Sequence, residues 1–509
     1  MAARLPWNNE IRTVEGLLRH AADRYESKDA VKYVNGKDIV SVSYRRFFED
    51  SLAVAAYLDR VHPERCTVGL IGTTTYDFLV TMNAVFISGK ILVPLSPEFT
   101  FEKTSLLLSR SQAKIILYDR LPMKGASPED ILPGLEYSCV ISEFVGAALE
   151  CGLTGSFPEK ADADDTALIL YTSGTTGDFK GVELSSSALV SNVLMDAMDF
   201  SGDNVALNVL PMHHIFCLSC DYLKNVNDGV TICLNPDLGG IYRNLKLFEP
   251  TILRLVPMMV QSLYAKVKIK ASKHPEYTMR QAAESVFGKR ISHVVSSGAA
   301  LPHSLVAAYG EMGIILQQGY GMTETGPRIS VPDKDTPLGS VGKILDGITA
   351  RVRDGELQVR SPSLMTCYHD DPEATAAVFT DDGWFRTGDL GSITDDRYLF
   401  IKGRLKNLII LSNGENVSPE EIEKKYTDHP LVKEVVVFEQ DGAIMAEIYP
   451  DPAFIEENNI DDIPAVVGEL VRKINLSGET TREVSGFSIR STPFDKTSSG
   501  KIARKGTAL

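Results

Sequence analysis

The loop from Thr172 to Lys180 carries the residue types that bind phosphate. It consists of Gly, Ser, Thr and Lys except at Asp178 and Phe179. Glycine lets backbone N–H groups approach an anion closely, hydroxyl groups add hydrogen-bond donors, and the Lys180 side chain adds positive charge. The GxxxxGK[ST] spacing of a Walker loop is absent. These residues predict a polyphosphate site, and the simpler alternative is a surface turn with a hydrated lysine.

Four further polar motifs follow this loop along the chain: GYGMTE at 319–324, GWFRTGD at 383–389, GRLKN at 403–407 and KTSSGK at 496–501. Each has an ordinary structural explanation when taken alone. Glu324 could cap a helix, Asp389 could precede a hairpin, and Arg404 could lie exposed at a domain edge. His214, in PMHHIF, could be a buried histidine with satisfied hydrogen bonds. Only the combination of motifs favours a shared site.

The segments around these motifs alternate between strand and helix patterns, which predicts largely parallel sheets covered by helices. The predicted strands include 68–72, 91–95, 113–118, 166–171, 206–210, 253–257, 291–296 and 314–317, and the predicted helices include 11–26 and 76–87. Two hairpins, near 350–360 and 392–401, predict an antiparallel region. Beyond Arg404, a helix with a capping box of Ser418 and Glu421 and several strands predict a compact α+β unit.

Composition limits the class of protein. The 509 residues are too many for a single core. The net charge of −15 argues against nucleic-acid binding. The N-terminus has no signal-peptide pattern, and polar residues and a proline interrupt the most apolar stretch, 78–95, so no membrane span is predicted. The seven scattered cysteines predict reduced thiols and a cytoplasmic location. The CxxC of Cys217 and Cys220 is better explained by burial than by zinc or redox chemistry.

The five motifs, including YTSGTTGDFKG at 171–181, occur in one order along the chain. In this order they resemble the adenylate-forming superfamily of acyl-CoA synthetases, peptide-synthetase adenylation domains and luciferases. The resemblance implies a large N-terminal domain, 1–403, of stacked α/β subdomains plus an antiparallel β region. It also implies a small, mobile α+β C-terminal domain, 404–509. A carboxylate and ATP would give acyl-AMP and pyrophosphate, with Mg²⁺, and a thiol would then displace AMP.

The resemblance also assigns nucleotide contacts. The β- and γ-phosphates would be wrapped by Thr172, Ser173, Gly174, Thr175, Thr176, Gly177 and Lys180. Glu324 would bind Mg²⁺ and Thr323 a phosphate group. Tyr320, between Gly319 and Gly321, would stack on adenine. Asp389 would bind the ribose, and Arg404 would be a further nucleotide contact. The chain departs from the family at Asp178–Phe179, where a proline usually precedes the lysine.

The remaining assignments concern catalysis and the acyl group. Lys501 would be the catalytic lysine of adenylation, with Lys496 as its rival. Lys406 would be the hinge of the small domain, and Gly414 would let pantetheine pass, with Asn413 in place of a usual glycine. His214 would wall the acyl pocket, and the wall of small residues would comprise Gly298, Ala299 and Ala300.

Phe216–Cys217 replaces the Phe–Asp pair of amino-acid-activating relatives. Because a thiol does not neutralise a buried ammonium, the sequence predicts a fatty, aryl or other amine-free acid. The chain ends shortly after the last motif, so a separate acceptor thiol is expected. CoA is favoured, the phosphopantetheine of a separate carrier protein is the alternative, and a non-catalytic nucleotide-binding relative is ranked third.

Overall fold

The structure is a computed structural model that describes residues 10–153, 162–173, 179–195, 202–298, 301–410, 416–477, 483–496, 502 and 504. Two largely parallel sheets, an antiparallel β region and a small C-terminal α+β unit follow one another along the chain. This arrangement confirms the predicted fold class.

The helices, in chain order, are α1 (Val14–Tyr25), α2 (Tyr44–Val61), α3 (Tyr76–Ile87), α4 (Phe101–Arg110), α5 (Pro128–Ile131), α6 (Ile141–Glu150), α7 (Ser186–Leu194), α8 (Lys224–Asn227), α9 (Ile241–Phe248), α10 (Pro257–Lys273), α11 (Met279–Phe287), α12 (His303–Glu311), α13 (Pro372–Ala377), α14 (Pro419–Thr427), α15 (Pro452–Glu457) and α16 (Ile463–Leu476). Short 3₁₀ turns span Leu238–Gly240, Thr323–Thr325 and Leu405–Asn407, and a π-helix spans Phe216–Leu223.

The strands, in chain order, are β1 (Asp29–Asn35), β2 (Asp38–Ser43), β3 (Thr67–Ile71), β4 (Ile91–Leu95), β5 (Ala113–Tyr118), β6 (Tyr137–Val140), β7 (Thr166–Ser173), β8 (Phe179–Ser185), β9 (Val205–Asn208), β10 (Thr231–Leu234), β11 (Ile252–Leu255), β12 (His293–Ser296), β13 (Ile315–Gln318), β14 (Tyr320–Gly321), β15 (Arg328–Val331), β16 (Lys343–Ile344), β17 (Thr349–Arg353), β18 (Glu356–Arg360), β19 (Phe385–Ile393), β20 (Leu399–Arg404), β21 (Ile409–Ile410), β22 (Asn416–Val417), β23 (Val432–Gln440), β24 (Ala443–Pro450) and β25 (Gly486–Ile489).

The first sheet ends at the predicted phosphate-binding loop, residues 172–180, which is called the phosphate loop below. Its six strands have the order β6-β5-β3-β4-β7-β8, and all neighbours run parallel except β7 and β8. Strand β3 is buried along its whole length, as expected for a strand covered on both faces. The last two strands form an antiparallel pair in which Thr172 lies opposite Lys180. The phosphate loop therefore connects two paired strands.

The second sheet has the order β13-β12-β11-β9-β10-β1-β2 and is parallel except for the β1–β2 pair. Strands β12 and β13 end beside each other, at Ser296 and Gln318. Their carboxyl ends lead into Ser297–Gly298 and into the GYGMTE segment. This common edge brings two of the predicted motifs together, as expected for parallel sheets, whose strand ends carry binding residues.

The antiparallel region consists of β17 to β20, with the predicted hairpin turn at Asp354 and Gly355. Both turn residues have positive φ angles, 52° and 80°, which suits a tight hairpin. In the same sheet, Asp389 on β19 lies directly opposite Arg404 on β20. Two motifs that are separate in sequence thus meet through strand pairing.

The C-terminal unit has its own hydrophobic cluster, which is formed by residues from Ile409 onward. Helix α14 begins after Ser418, as predicted, but the predicted capping box is wrong. The Ser418 hydroxyl donates to the Lys402 carbonyl at 2.8 Å instead of accepting from the helix N-terminus. Tertiary contact with the end of β20 therefore replaces local capping.

None of the helices within the described ranges combines the length and the apolar character needed to cross a membrane.

Candidate active site

A single cleft of about 3700 Å³ collects the predicted site residues that the structure describes in full. These lining residues are Thr172, Lys180, His214, Gly298, Gly319, Tyr320, Gly321, Thr323, Glu324, Asp389, Arg404 and Lys406. Eight further predicted residues lie outside the described residues: Gly174, Thr175, Thr176, Gly177, Ala299, Ala300, Gly414 and Lys501. Ser173 is described as the last residue of β7 only.

A lysine, a tyrosine and a glutamate form a chain of contacts at one end of the cleft. The Lys180 ammonium lies 4.6 Å from the ring centroid of Tyr368, a cation–π distance. The Tyr368 hydroxyl donates to Glu324 Oε1 at 2.8 Å. Tyr368 is 6% exposed and Glu324 9% exposed, so both contacts are largely shielded from water. The phosphate loop and the GYGMTE motif therefore meet through a residue that belongs to neither.

Glu324 suits a metal that is shared with a polyphosphate. It lies in the 3₁₀ turn Thr323–Thr325, and Tyr368 is the only hydrogen-bond donor to its carboxylate among the described residues. In the same ranges, no cluster of three or more His, Cys, Asp or Glu side chains forms a metal site. One carboxylate with phosphate and water oxygens is a ligand set that Mg²⁺ accepts. The residues thus fit a nucleotide-bound Mg²⁺ better than a metal held by protein alone.

A buried carboxylate organises the other end of the cleft. Asp389 is 4% exposed, accepts from the Tyr320 hydroxyl at 2.5 Å, and pairs with Arg404 Nε at 2.8 Å. Burial, followed by the Asp389 charge, raises the pKa of Tyr320 well above its ordinary value. The phenol therefore stays protonated and donates a hydrogen bond at physiological pH, and the carboxylate is fixed between two donors.

Gly321 has a packing role in addition to its place beside the cleft. A Cβ atom built on it would overlap the backbone carbonyl of Pro327. The β14 strand and the chain that returns after the 3₁₀ turn can approach this closely only because Gly321 has no side chain. This close approach fixes the position of the neighbouring Tyr320.

An aromatic and basic cluster borders the phosphate loop near His214. The Lys103 ammonium lies 3.5 Å from the centroid of the Phe99 ring and 4.7 Å from that of Phe179. The His213 ring packs edge-on against Phe99 at 5.3 Å and lies 4.4 Å from the His214 ring. Phe179, the residue that departs from the family pattern, is thus a packing partner of a cleft lysine.

Both histidines are held neutral. Burial, then the charges of His214 and Lys103, lowers the pKa of His213 to about 3. Burial, then Lys103, lowers the pKa of His214. An uncharged imidazole at the wall of the cleft can donate or accept one hydrogen bond without attracting a counterion. This environment suits an apolar or neutral group better than an ammonium group.

The lowered pKa of His213 predicts a loss of stability in acid. Below the ordinary pKa of histidine, the unfolded chain binds a proton at His213, whereas the folded protein does not bind it until the pH falls to about 3. The free energy of unfolding therefore decreases as the pH falls across that window. His213 alone should lower the free energy of unfolding by about 2 kcal/mol at pH 5 relative to pH 7.5. We expect His213→Gln to flatten the decrease in thermal midpoint between these pH values, as measured by circular dichroism. His274→Gln, at an exposed histidine, should leave it unchanged.

The CxxC cysteines are buried and unpaired, as predicted. The Cys217 thiol donates to the Leu210 carbonyl at 2.8 Å, and burial followed by the Asp221 charge raises its pKa. Asp221, which is fully buried, accepts from Asn208 at 2.7 Å and from Arg254 at 3.3 Å. Neither Cys217 nor Asp221 lines the cleft, so neither presents a negative charge to a ligand there.

Of the two lysines in the last motif, the structure describes Lys496. Its Nζ pairs with Glu434 at 2.7 Å, and Glu434 is 7% exposed. Lys496 also forms a β-bridge with Ile502, and Arg504 pairs with Glu423 at 2.6 Å. The rival lysine is therefore engaged in a salt bridge with a largely buried glutamate.

Lys406 lies in the 3₁₀ turn Leu405–Asn407, directly after the last strand of the antiparallel region. Burial, followed by the Arg404 charge, lowers its pKa. The neighbouring Asn407 side chain donates to Glu420 at 2.6 Å, which links the turn to α14. The predicted hinge residue thus lies in a short turn that follows β20 and precedes the second hydrophobic cluster.

Sequence reasoning missed Tyr368, Phe99 and Lys103. Tyr368 lies 44 residues beyond its partner Glu324. No spacing rule connects such positions, and the CYHDD segment has no recognisable binding pattern. Lys103 lies on α4, where an amphipathic pattern explains it as an exposed polar residue. Only the packing of α4 beside the phosphate loop brings this lysine into the cleft.

Comparison with known proteins identifies related ligases. The chain is 29% identical to 4-coumarate–CoA ligase 3 of Arabidopsis thaliana over 84% of this chain and 79% of that protein. It is 27% identical to the long-chain-fatty-acid–CoA ligase FadD15 of Mycobacterium tuberculosis over 81% and 78%, respectively. Among solved structures, ATP-bound MatB from Rhodopseudomonas palustris superimposes with a TM-score of 0.80 at 25% identity, covering 96% of this chain and 97% of that one.

Family profiles cover most of the sequence. The AMP-binding enzyme profile matches residues 18–369, and the profile of the AMP-binding enzyme C-terminal domain matches residues 406–508. The first match alone spans more than half of the chain and includes the Lys180, Tyr368 and Glu324 contacts. The chain therefore belongs to the AMP-binding enzyme family.

Proposed function

We propose that this protein is an AMP-forming acid–thiol ligase that activates an amine-free carboxylic acid and transfers the acyl group to CoA. A carboxylate oxygen attacks the α-phosphorus of ATP, pyrophosphate leaves, and the thiol then displaces AMP from the acyl-AMP. The convergence of the predicted nucleotide contacts on one cleft carries this proposal. Relatives named as 4-coumarate, fatty-acid and malonate CoA ligases support CoA as the acceptor.

The first half-reaction requires two anions to be held together while charge moves to the leaving pyrophosphate. Lys180 and the phosphate loop would contact the β- and γ-phosphates. Glu324 would hold Mg²⁺, which neutralises phosphate charge when bound. Thr323, beside it in the 3₁₀ turn, would contact a phosphate oxygen. Lys501 would lie between the attacking carboxylate and the α-phosphate.

Asp389 would bind the ribose. Its Oδ2 accepts from Tyr320 and its Oδ1 pairs with Arg404, and each carboxylate oxygen retains acceptor capacity for a ribose hydroxyl. The same hydrogen bond holds the Tyr320 ring for stacking on adenine. Arg404 compensates the buried charge of Asp389 through their ion pair.

The acyl group would lie along His214 and the Gly298 segment. The neutral histidines, and the absence of Cys217 and Asp221 from the cleft wall, support an acid without an α-ammonium group. The thiol step would use a rotated C-terminal domain, with 1–403 and 404–509 as the two units and Lys406 as the hinge. The separate hydrophobic cluster from Ile409 onward supports this division. Gly414 would border the pantetheine.

A pyrophosphate-release assay with a panel of acids tests this function. Fatty, aryl and short dicarboxylic acids, each with Mg²⁺-ATP, are compared with α-amino acids of matched side chain. We expect release with at least one amine-free acid and none above background with the amino acids. Release with an amino acid in preference to its amine-free analogue would overturn the substrate class. No release with any acid would support the non-catalytic alternative.

The acceptor is tested with the acid that reacts in this panel. Mass spectrometry would follow thioester formation with CoA and with a phosphopantetheinylated carrier protein in parallel reactions. We expect acyl-CoA to form faster. Faster loading of the carrier protein would assign the enzyme to the stand-alone loading class instead.

A further inference from the structure

Two adjacent side chains, Tyr368 and His369, point to opposite sides of one extended segment. Val182 on β8 forms a β-bridge with Tyr368, and the His369 backbone N–H donates to the Gly181 carbonyl at 2.7 Å. Successive side chains in an extended chain alternate between faces. Tyr368 therefore faces Lys180 and Glu324, while His369 lies behind β8, away from the nucleotide contacts.

The His369 ring lies between two hydrogen-bond acceptors. Its Nδ1 is 2.6 Å from Glu183 Oε1, and its Nε2 is 3.0 Å from the Arg110 carbonyl oxygen. The second Glu183 oxygen accepts from the Thr166 hydroxyl at 2.6 Å. A carbonyl oxygen and a carboxylate oxygen accept hydrogen bonds, so each ring nitrogen of His369 lies within hydrogen-bond distance of an acceptor. The His369 and Glu183 side chains are each 16% exposed, so water competes weakly.

These contacts join three elements around the phosphate loop. Arg110 is the last residue of α4, and its guanidinium donates to the Phe179 carbonyl at 3.0 Å, one residue before Lys180. Glu183 lies on β8, the strand that begins at Phe179. The ring thus ties α4 and β8 to the segment that carries Tyr368.

We propose that the His369–Glu183 pair is a positioning pair for the pyrophosphate contacts. Through its contacts with Glu183 and with the Arg110 carbonyl, the His369 ring fixes the segment that carries Tyr368. Tyr368 in turn sets the separation of Lys180 and Glu324. The inference rests on the proposed function, because it concerns how that site holds ATP.

The test compares the full-length protein with His369→Gln in the two half-reactions. The glutamine amide can donate to one of the two acceptors but not to both. We expect the KM for ATP in adenylation to rise about tenfold at neutral pH, the effect of losing one charge-assisted hydrogen bond. Acyl transfer from supplied acyl-AMP should stay within about twofold, because that step does not use the pyrophosphate contacts.

Three control variants and one binding measurement separate a positioning role from a loss of fold. His274→Gln makes the same change in an exposed His–Glu pair and should alter neither half-reaction. Glu183→Gln removes the charge but keeps an acceptor, and should raise the KM for ATP in the same direction. The double variant should be no worse than the poorer single variant if both act through one pair. Calorimetric titration with Mg²⁺-pyrophosphate should show the same weakening without any turnover.

Equal losses in both half-reactions would overturn the positioning role. Unchanged Mg²⁺-pyrophosphate affinity in His369→Gln would also overturn it, and this measurement does not depend on finding the acid. Failure of the wild-type protein to release pyrophosphate with any acid would instead count against the proposed function. The two failures are therefore distinguishable.

Discussion

Lys501→Ala is expected to lower the rate of acyl-adenylate formation about 100- to 1000-fold, the range found when a single preorganised electrostatic contact to a transition state is removed. In the proposed role, the ammonium would offset repulsion between the attacking carboxylate and the α-phosphate, and alanine offers no charge there. Acyl transfer from supplied acyl-AMP to CoA should stay within about twofold of wild type, because the phosphoryl step is complete. Single-turnover pyrophosphate release and thioester formation measure the two steps separately.

Two lysine variants serve as controls for this result. Lys473→Ala, at an exposed position on α16, should leave both half-reactions unchanged. Lys496→Ala breaks the ion pair with the largely buried Glu434, so it should lower the thermal midpoint of the protein. A selective loss of adenylation in Lys496→Ala, with Lys501→Ala unaffected, would transfer the catalytic role to Lys496.

Glu324→Gln is expected to lower kcat/KM for adenylation about 100-fold and to raise the Mg²⁺ concentration needed for half-maximal rate. In the wild-type protein the Tyr368 hydroxyl donates to Glu324 at 2.8 Å. The glutamine amide oxygen can still accept this hydrogen bond, so the local fold should persist. What is lost is the negative charge that, in the proposed role, would hold a divalent cation beside the phosphates. Initial rates across a Mg²⁺ titration at saturating acid measure this effect.

Tyr368→Phe isolates the hydrogen bond from the charge. The phenylalanine ring keeps the surface under Lys180 but no longer donates to Glu324. A loss of about tenfold in kcat/KM for adenylation is expected, smaller than that of Glu324→Gln, because one hydrogen bond is removed and the carboxylate remains.

If Glu324→Gln showed the same Mg²⁺ dependence as the wild-type protein, a metal-binding role for this glutamate would be ruled out.

Local patterns were sufficient for most of the architecture. Short apolar runs predicted the parallel strands, because strands covered on both faces are apolar throughout, as β3 and β4 are. Asp354–Gly355 predicted its hairpin because both residues tolerate positive φ. The Ser418 capping box failed because a carbonyl from β20 competes for the same hydroxyl. The π-helix at Phe216–Leu223 was also missed, because residue periodicity does not register the single extra residue per turn.

The sequence by itself determined the family and the chemical types in the site, because those depend on which residues occur and in what order. The tertiary structure decided which of them act together. Strand pairing brings Asp389 to Arg404, and the packing of the two sheets brings Tyr368 between Lys180 and Glu324. It also revealed His369 behind β8, in a segment without a motif. Contacts between residues so distant in sequence depend on sheet packing, and sequence periodicity describes only the neighbours along the chain.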